Sequence, residues 1–115
     1  MKTLIRISAI LLFLVAGRNI SHAQTATDST VTIKTNAQCG ECKDRLESNI
    51  SVMKGVKSAT LDVSTKVMTI VFNDSKTSSA KLRSAISKLG YDADDVKADP
   101  KAQGKLPKCC QPSTH

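Results

Sequence analysis

Cys39 and Cys42 stand two residues apart in Cys39-Gly40-Glu41-Cys42, and the second enters a stretch that reads as a helix. Two thiols at this spacing converge on a single ion. The unpaired N–H groups and the positive dipole end of the helix favour the thiolate form that soft metals bind. No His or carboxylate motif lies beside the pair, so the site offers two sulfurs. That donor set suits Cu(I) first and Hg(II) also; Zn(II) and Cd(II) suit it less well, since zinc normally takes four ligands. A two-sulfur site leaves room for a partner's cysteine, so the ion can be handed over by ligand exchange rather than released to water. No constellation of nucleophile, general base and catalytic metal is visible, and no catalytic activity is expected.

A second pair, Cys109-Cys110, sits in a tail that also holds Pro100, Gly104, Pro107 and Pro112. Between the pairs runs a globular stretch without a cysteine to be stapled, so the sulfur is read as supplied for chemistry rather than for structural disulfides. The chain from Lys97 to Cys109, when extended, spans on the order of 40 Å, enough to double back over a small domain. Cys109 and Cys110 are therefore candidate accessory ligands that fold back onto Cys39 and Cys42 or bridge to another molecule. Met53 and Met68 fall in periodic apolar stripes and are read as core. His115, at the end of the tail, is read as solvated. Lys43, Lys54 and Lys57 border the helix carrying Cys42, and a solvated face is their default reading.

Lys2 and Arg6 precede an apolar run from Ile7 to Ala16, which gives way to a more polar stretch ending Ser21-His22-Ala23. A charged start, a short greasy middle and small residues before a cleavage point after Ala23 are the marks of a secretory signal. The apolar run is about half the ~20 residues needed to span a bilayer. The expectation is a signal peptide over residues 1–23 and a soluble mature chain in a periplasm or outside the cell. The whole chain is formally +7, but the signal is basic and the remainder carries 14 basic and 10 acidic residues. With 3% aromatic residues and no run of adjacent Lys or Arg, a nucleic-acid reader is not expected.

These thiols must be positioned by a small fold. Residues 24–30 are polar and read as a flexible leader. Val31 to Thr35 alternates apolar and polar as a strand, and Leu46, Ile50 and Met53 then recur at helical spacing up to Gly55. Val56 to Val63 and Val67 to Phe72, separated by Ser64-Thr65-Lys66, read as a hairpin, with Met68, Ile70 and Phe72 inward. Thr77 or Ser78 caps a second helix with Leu82, Ala85, Ile86 and Leu89 on one stripe, and Gly90 ends it. Tyr91 to Lys97 reads as a weaker fourth strand. The β-α-β-β-α-β order is that of an α+β, ferredoxin-like open-faced sandwich: a four-stranded antiparallel sheet with two helices on one face. Residues 98–115 read as a disordered, cysteine-containing tail.

Three segments together carry a family resemblance: Cys39-Gly40-Glu41-Cys42-Lys43-Asp44-Arg45-Leu46-Glu47, Gly55-Val56-Lys57-Ser58-Ala59 and Leu89-Gly90-Tyr91-Asp92-Ala93. The chain resembles the heavy-metal-associated domain family over roughly Val31 to Lys97. That family includes small copper chaperones, metal-binding domains of copper-transporting ATPases and the periplasmic mercury-binding protein. The resemblance implies that Cys39 and Cys42 bind the metal and that Tyr91 lies near the site. It further implies transfer to a metal-transporting membrane protein or another thiol-containing acceptor. The mature form is expected to be a monomer, with a metal-bridged dimer as its alternative. The family usually has Met two residues before the first cysteine, where this chain has Ala37.

A different chemistry also fits Cys39 and Cys42. Cys-Gly-x-Cys before a helix looks like a thioredoxin active site, so the alternative is a periplasmic thiol–disulfide oxidoreductase. Against it, no Trp precedes Cys39, Glu41 stands where Pro would be, and no Pro occurs between Gln24 and Asp99.

Overall fold

The computed structural model describes residues 28–112. The proposed signal segment and His115 lie outside the described residues. The order of elements is β1 (Asp28–Lys34), α1 (Gly40–Ile50), β2 (Val56–Asp62), β3 (Val67–Asn73), α2 (Ser79–Lys88) and α3 (Pro100–Gly104), followed by a 3-10 turn, Lys108–Cys110. β3 is the central strand of an antiparallel sheet ordered β1-β3-β2. Register follows from the alternating pattern, because a slip of one residue would turn each strand's apolar set to water. Ile33 and Leu61 both pair with Met68, and Val31 and Ala59 both pair with Ile70. These rows face Leu46, Ile50, Leu82 and Ile86, all buried in one core, while Thr32, Thr60 and Thr69 occupy the opposite, exposed face.

Two electrostatic ties lock α1 to the sheet. Glu47 accepts from Lys43 Nζ at 2.6 Å and from the Leu61 backbone N–H at 2.8 Å. Lys43 Nζ also donates to the Leu61 carbonyl at 2.9 Å. Ser78 caps α2, its Oγ accepting from the Lys81 N–H. Gly90 follows α2 with φ +104°, a conformation side-chain-bearing residues rarely adopt.

Three sequence expectations need correction. Tyr91 to Lys97 is not a fourth strand: Ala93 and Val96 form an isolated bridge to each other, and Asp94 turns the chain with φ 53°. The turn meets the edge of β1 at one residue, where the Asp94 N–H donates to the Lys34 carbonyl and the Lys34 N–H donates to the Asp94 carboxylate, each at 2.8 Å. Arg83 holds that carboxylate at 2.8 Å. These long-range bonds to Lys34 and Arg83 thus win over an extended strand with only two apolar positions. The sheet is three-stranded. At the amino end, β1 starts at Asp28 rather than Val31, because Asp28 and Ser29 still have partners in Asn73 and Phe72.

The stretch after Ala98 is folded rather than disordered. Asp99 caps α3 by accepting from the Lys101 N–H, with Pro100 in the first turn. This pairing needs no core, since Pro fixes a helical φ and lacks an N–H that would go unpaired there. The Asp99 N–H donates to the Ser87 carbonyl at 2.9 Å, and Ser87 Oγ donates to the Lys97 carbonyl at 2.6 Å. Leu106 and Cys110 are buried in the same core as Ile33 and Leu46. A Cβ on Gly90 would lie 2.9 Å from the Ala102 backbone, so the bare glycine is what lets α3 approach α2 so closely. Among the described residues no helix is long and apolar enough to cross a membrane.

Candidate metal centre

The loop between β1 and α1 is short and tied at its base. Thr35 Oγ1 donates to the Lys66 carbonyl at 2.8 Å and accepts from the Ala37 N–H at 3.1 Å. The Asn36 side chain accepts from the Asp92 N–H at 3.0 Å. Ala37 is fully buried, in a cluster that includes Leu106 and Cys110 from the tail. Cys39 has extended backbone geometry at the N-cap of α1 and no side-chain capping hydrogen bond, while its carbonyl accepts from the Lys43 N–H. Its sulfur faces the helix end, where the Cys42 N–H favours its thiolate. Cys42, one turn on, is buried on the core side of α1.

The structure brings all four cysteines together as free thiols. Cys39 Sγ lies 3.0 Å from Cys42 Sγ, 3.1 Å from Cys109 Sγ and 3.6 Å from Cys110 Sγ. The Cys109 and Cys110 sulfurs are 3.8 Å apart. Cys39, Cys42 and Cys110 form a group whose sulfurs all lie within 4.8 Å of one another. Cys110 is 1% exposed, whereas Cys109 is exposed and donates to the Glu41 carboxylate at 3.2 Å.

Their protonation is strongly asymmetric. Burial would raise the Cys39 pKa, but the thiols of Cys42 and Cys109, the Cys42 backbone N–H and the Cys110 thiol outweigh it, and the value falls to about 7. Burial pushes Cys42 up to about 11, with Cys110 and Cys39 adding to the rise. Cys109 also rises to about 11, because its thiol proton is held by Cys39 and Glu41. Cys110 is raised chiefly by burial. One thiolate shared among four sulfurs is the state expected near neutral pH. Further charge requires either higher pH or a cation.

Tyr91, read from the sequence as near the site, is fully buried and its hydroxyl has no hydrogen-bond partner. Burial, then the neighbouring thiols of Cys110 and Cys42, push its pKa above the ordinary phenol range. Sequence reading missed Gln38 and Glu41, which meet the tail, and Leu106, which anchors it. The signal for the tail was present in Asp99-Pro100 as a helix start and in Leu106 as the one large apolar side chain after Ala98. Nothing local marks Gln38. Lys43 and Lys57, read as solvated, are each paired, Lys43 with Glu47 and Lys57 with Asp28.

A three-stranded sheet backed by two helices, with a thiol pair at the entrance to the first helix, defines an α+β domain that presents sulfur at one helix end. The profile of the heavy-metal-associated domain family matches residues 31–92, and the chain belongs to that family. A copper-exporting P-type ATPase of Staphylococcus aureus is 36% identical over 59 residues, which are 51% of this chain and 7% of that protein. This chain thus corresponds to a small part of that relative's length. Among solved structures, the CopZ metallochaperone is 29% identical with a TM-score of 0.55, over 56% of this chain and 98% of that one. Oxidized MerP of Ralstonia metallidurans CH34 is 29% identical with a TM-score of 0.56, over 58% of this chain and 94% of that one. The family match ends at residue 92, so Cys109 and Cys110 lie outside it.

Proposed function

We propose that this protein is an exported, non-enzymatic soft-metal carrier that binds one Cu(I) or Hg(II) through the Cys39 and Cys42 thiolates. It passes the ion by thiolate exchange to a metal-transporting membrane protein or another thiol-containing acceptor, or sequesters it. The observation that carries this reading is the pair of free sulfurs 3.0 Å apart at the uncapped entrance of α1. Membership of the heavy-metal-associated family and likeness to a protein titled a metallochaperone support it. Both thiolates and the helix end supply negative charge and its stabilisation at one point, which an ion of high thiol affinity matches. Export rests on the basic, then apolar, then small-residue pattern of residues 1–23.

Competition titrations against a Cu(I) chelator, and separately against a thiol competitor for Hg(II), test the assignment. Replacing both Cys39 and Cys42 by Ser abolishes the tightest site while leaving the circular dichroism of the fold in place. If that double variant keeps the tightest site, the assignment is wrong.

One observation favours the oxidoreductase alternative: Cys39 at about 7 beside Cys42 at about 11 is the kind of asymmetry that makes one thiol the attacking nucleophile. A reduction potential near those of thiol oxidants, combined with weak Cu(I) and Hg(II) binding, would establish that reading instead.

A further inference from the structure

We infer that the carboxy-terminal segment supplies a third metal ligand, Cys110, so that Cys39, Cys42 and Cys110 form one three-thiolate site for a soft ion, closed by the folded tail. This deepens the proposed function and rests on Cys39 and Cys42 being ligands.

The geometry fits. An ion holding sulfurs at about 2.3 Å in a trigonal plane sets them about 4.0 Å apart. The Cys39 sulfur is 3.0 Å from Cys42 and 3.6 Å from Cys110, and all three sulfurs lie within 4.8 Å of each other. An ion entering the triangle needs shifts of about 1 Å or less at each sulfur, within the reach of a χ1 adjustment.

The tail is held there by groups that are not ligands. Leu106 is buried. Gln38 Nε2 donates to the Gln111 carbonyl at 2.6 Å and the Cys109 carbonyl at 3.3 Å, bracketing Cys110. Gln111 Nε2 donates back to the Leu106 carbonyl at 2.9 Å. The third sulfur is thus placed before any ion arrives, and the entropy of closing the loop is met by protein contacts rather than by metal. A second, independent sign is Tyr91. Its buried hydroxyl lacks a partner and has the sulfurs of Cys42 and Cys110 as polar neighbours. A buried phenol beside those sulfurs is a donor that metal-bound thiolates accept more strongly than neutral thiols do.

The functional consequence is retention. A third thiolate occupies the approach through which an acceptor's cysteine would enter a two-sulfur site, so transfer requires the tail to yield its ligand. Cys109, exposed and 3.1 Å from Cys39, is the sulfur an acceptor meets first.

The test uses the reduced full chain with one equivalent of Cu(I). X-ray absorption is expected to give three sulfur neighbours in wild type and in Cys109→Ser, and two in Cys110→Ser. Cu(I) affinity in Cys110→Ser is expected to fall by about tenfold or more. Two sulfurs in wild type would overturn the inference while leaving the Cys39 and Cys42 site standing. Unchanged coordination and affinity in Cys110→Ser would do the same. Three sulfurs appearing only in a concentration-dependent dimer by analytical ultracentrifugation would also overturn it, since the third ligand would then come from a second molecule. The wild-type coordination number stands whether or not Cys110→Ser keeps its tail folded. Failure of the Cys39 and Cys42 double variant to lose Cu(I) would instead remove the reading beneath.

Discussion

The loop pair and the tail pair deliver sulfur to the same point by opposite means. Cys39 and Cys42 are carried by α1, whose Leu46 and Ile50 are sunk in the core and whose Glu47 is tied to β2. Cys109 and Cys110 are carried by a five-residue helix and a 3-10 turn, anchored by Leu106 and a handful of side-chain hydrogen bonds. A ligand mounted on the core is fixed for as long as the domain is folded. One mounted on a small anchored segment can leave while the domain stays folded, because local opening costs less than global unfolding. A rigid pair beside a releasable pair is a division of labour suited to holding an ion and then giving it up.

The largest test of that contrast is Leu46→Ala. It removes a fully buried side chain beneath Cys42, and a loss of about 2–5 kcal/mol of global stability by denaturant unfolding is expected. A smaller loss would mean that the loop pair is not core-mounted.

Thiol reactivity separates the pairs next. In metal-free protein near pH 7 the neighbouring thiols favour the Cys39 thiolate, whereas Cys109, although more exposed, is held protonated by Cys39 and Glu41. Iodoacetamide followed by peptide mapping should therefore modify Cys39 faster than Cys109. The Cys39 rate should fall as pH drops below about 7. Equal rates would show that exposure, not charge, governs the site.

Glu47→Ala probes the tie between α1 and β2. Burial alone would raise the Glu47 pKa, but the hydrogen bond from Lys43 and the Leu61 N–H hold it below the usual value. A loss of about 1–2 kcal/mol is expected at pH 7, reduced from the full value of a charged hydrogen bond by partial exposure. A depressed carboxylate contributes above its unfolded pKa. The wild-type advantage should thus persist from neutral pH down to the ordinary Glu range and vanish as pH falls through the lower folded value. An advantage unchanged at the acid end would discount the ion pair.

Leu106→Ala is the smallest effect on the whole and the sharpest on the tail. Global unfolding should shift by less than in Leu46→Ala, by no more than the free energy of docking the tail, while amides from Leu106 to Gln111 lose hydrogen-exchange protection and those of α1 keep theirs. Matching losses in both segments would mean that tail and domain unfold as one unit, and the contrast would fall.

Much of this molecule is dictated by local pattern. Alternation placed Met68, Ile70 and Phe72 inward on β3, helical spacing placed Leu46 and Ile50 on the core side of α1, and Ser78 and Gly90 marked the ends of α2. Cys39 and Cys42 were legible as a pair because two residues of separation at a helix start constrain two sulfurs without help from the rest of the chain. What lay beyond sequence was anything decided by contacts distant along the chain. Tyr91 to Lys97 has the composition of a poor strand, and the Asp94 bonds to Lys34 and Arg83 turned it into a corner. The tail has the composition of disorder, and only docking against Gly90, Gln38 and the core gave it a fold. Reach alone allowed Cys109 and Cys110 to arrive at the loop or to miss it. Burial of Leu106 and Cys110, which depends on a surface assembled from α1, α2 and the β1–α1 loop, is what the tertiary structure decided.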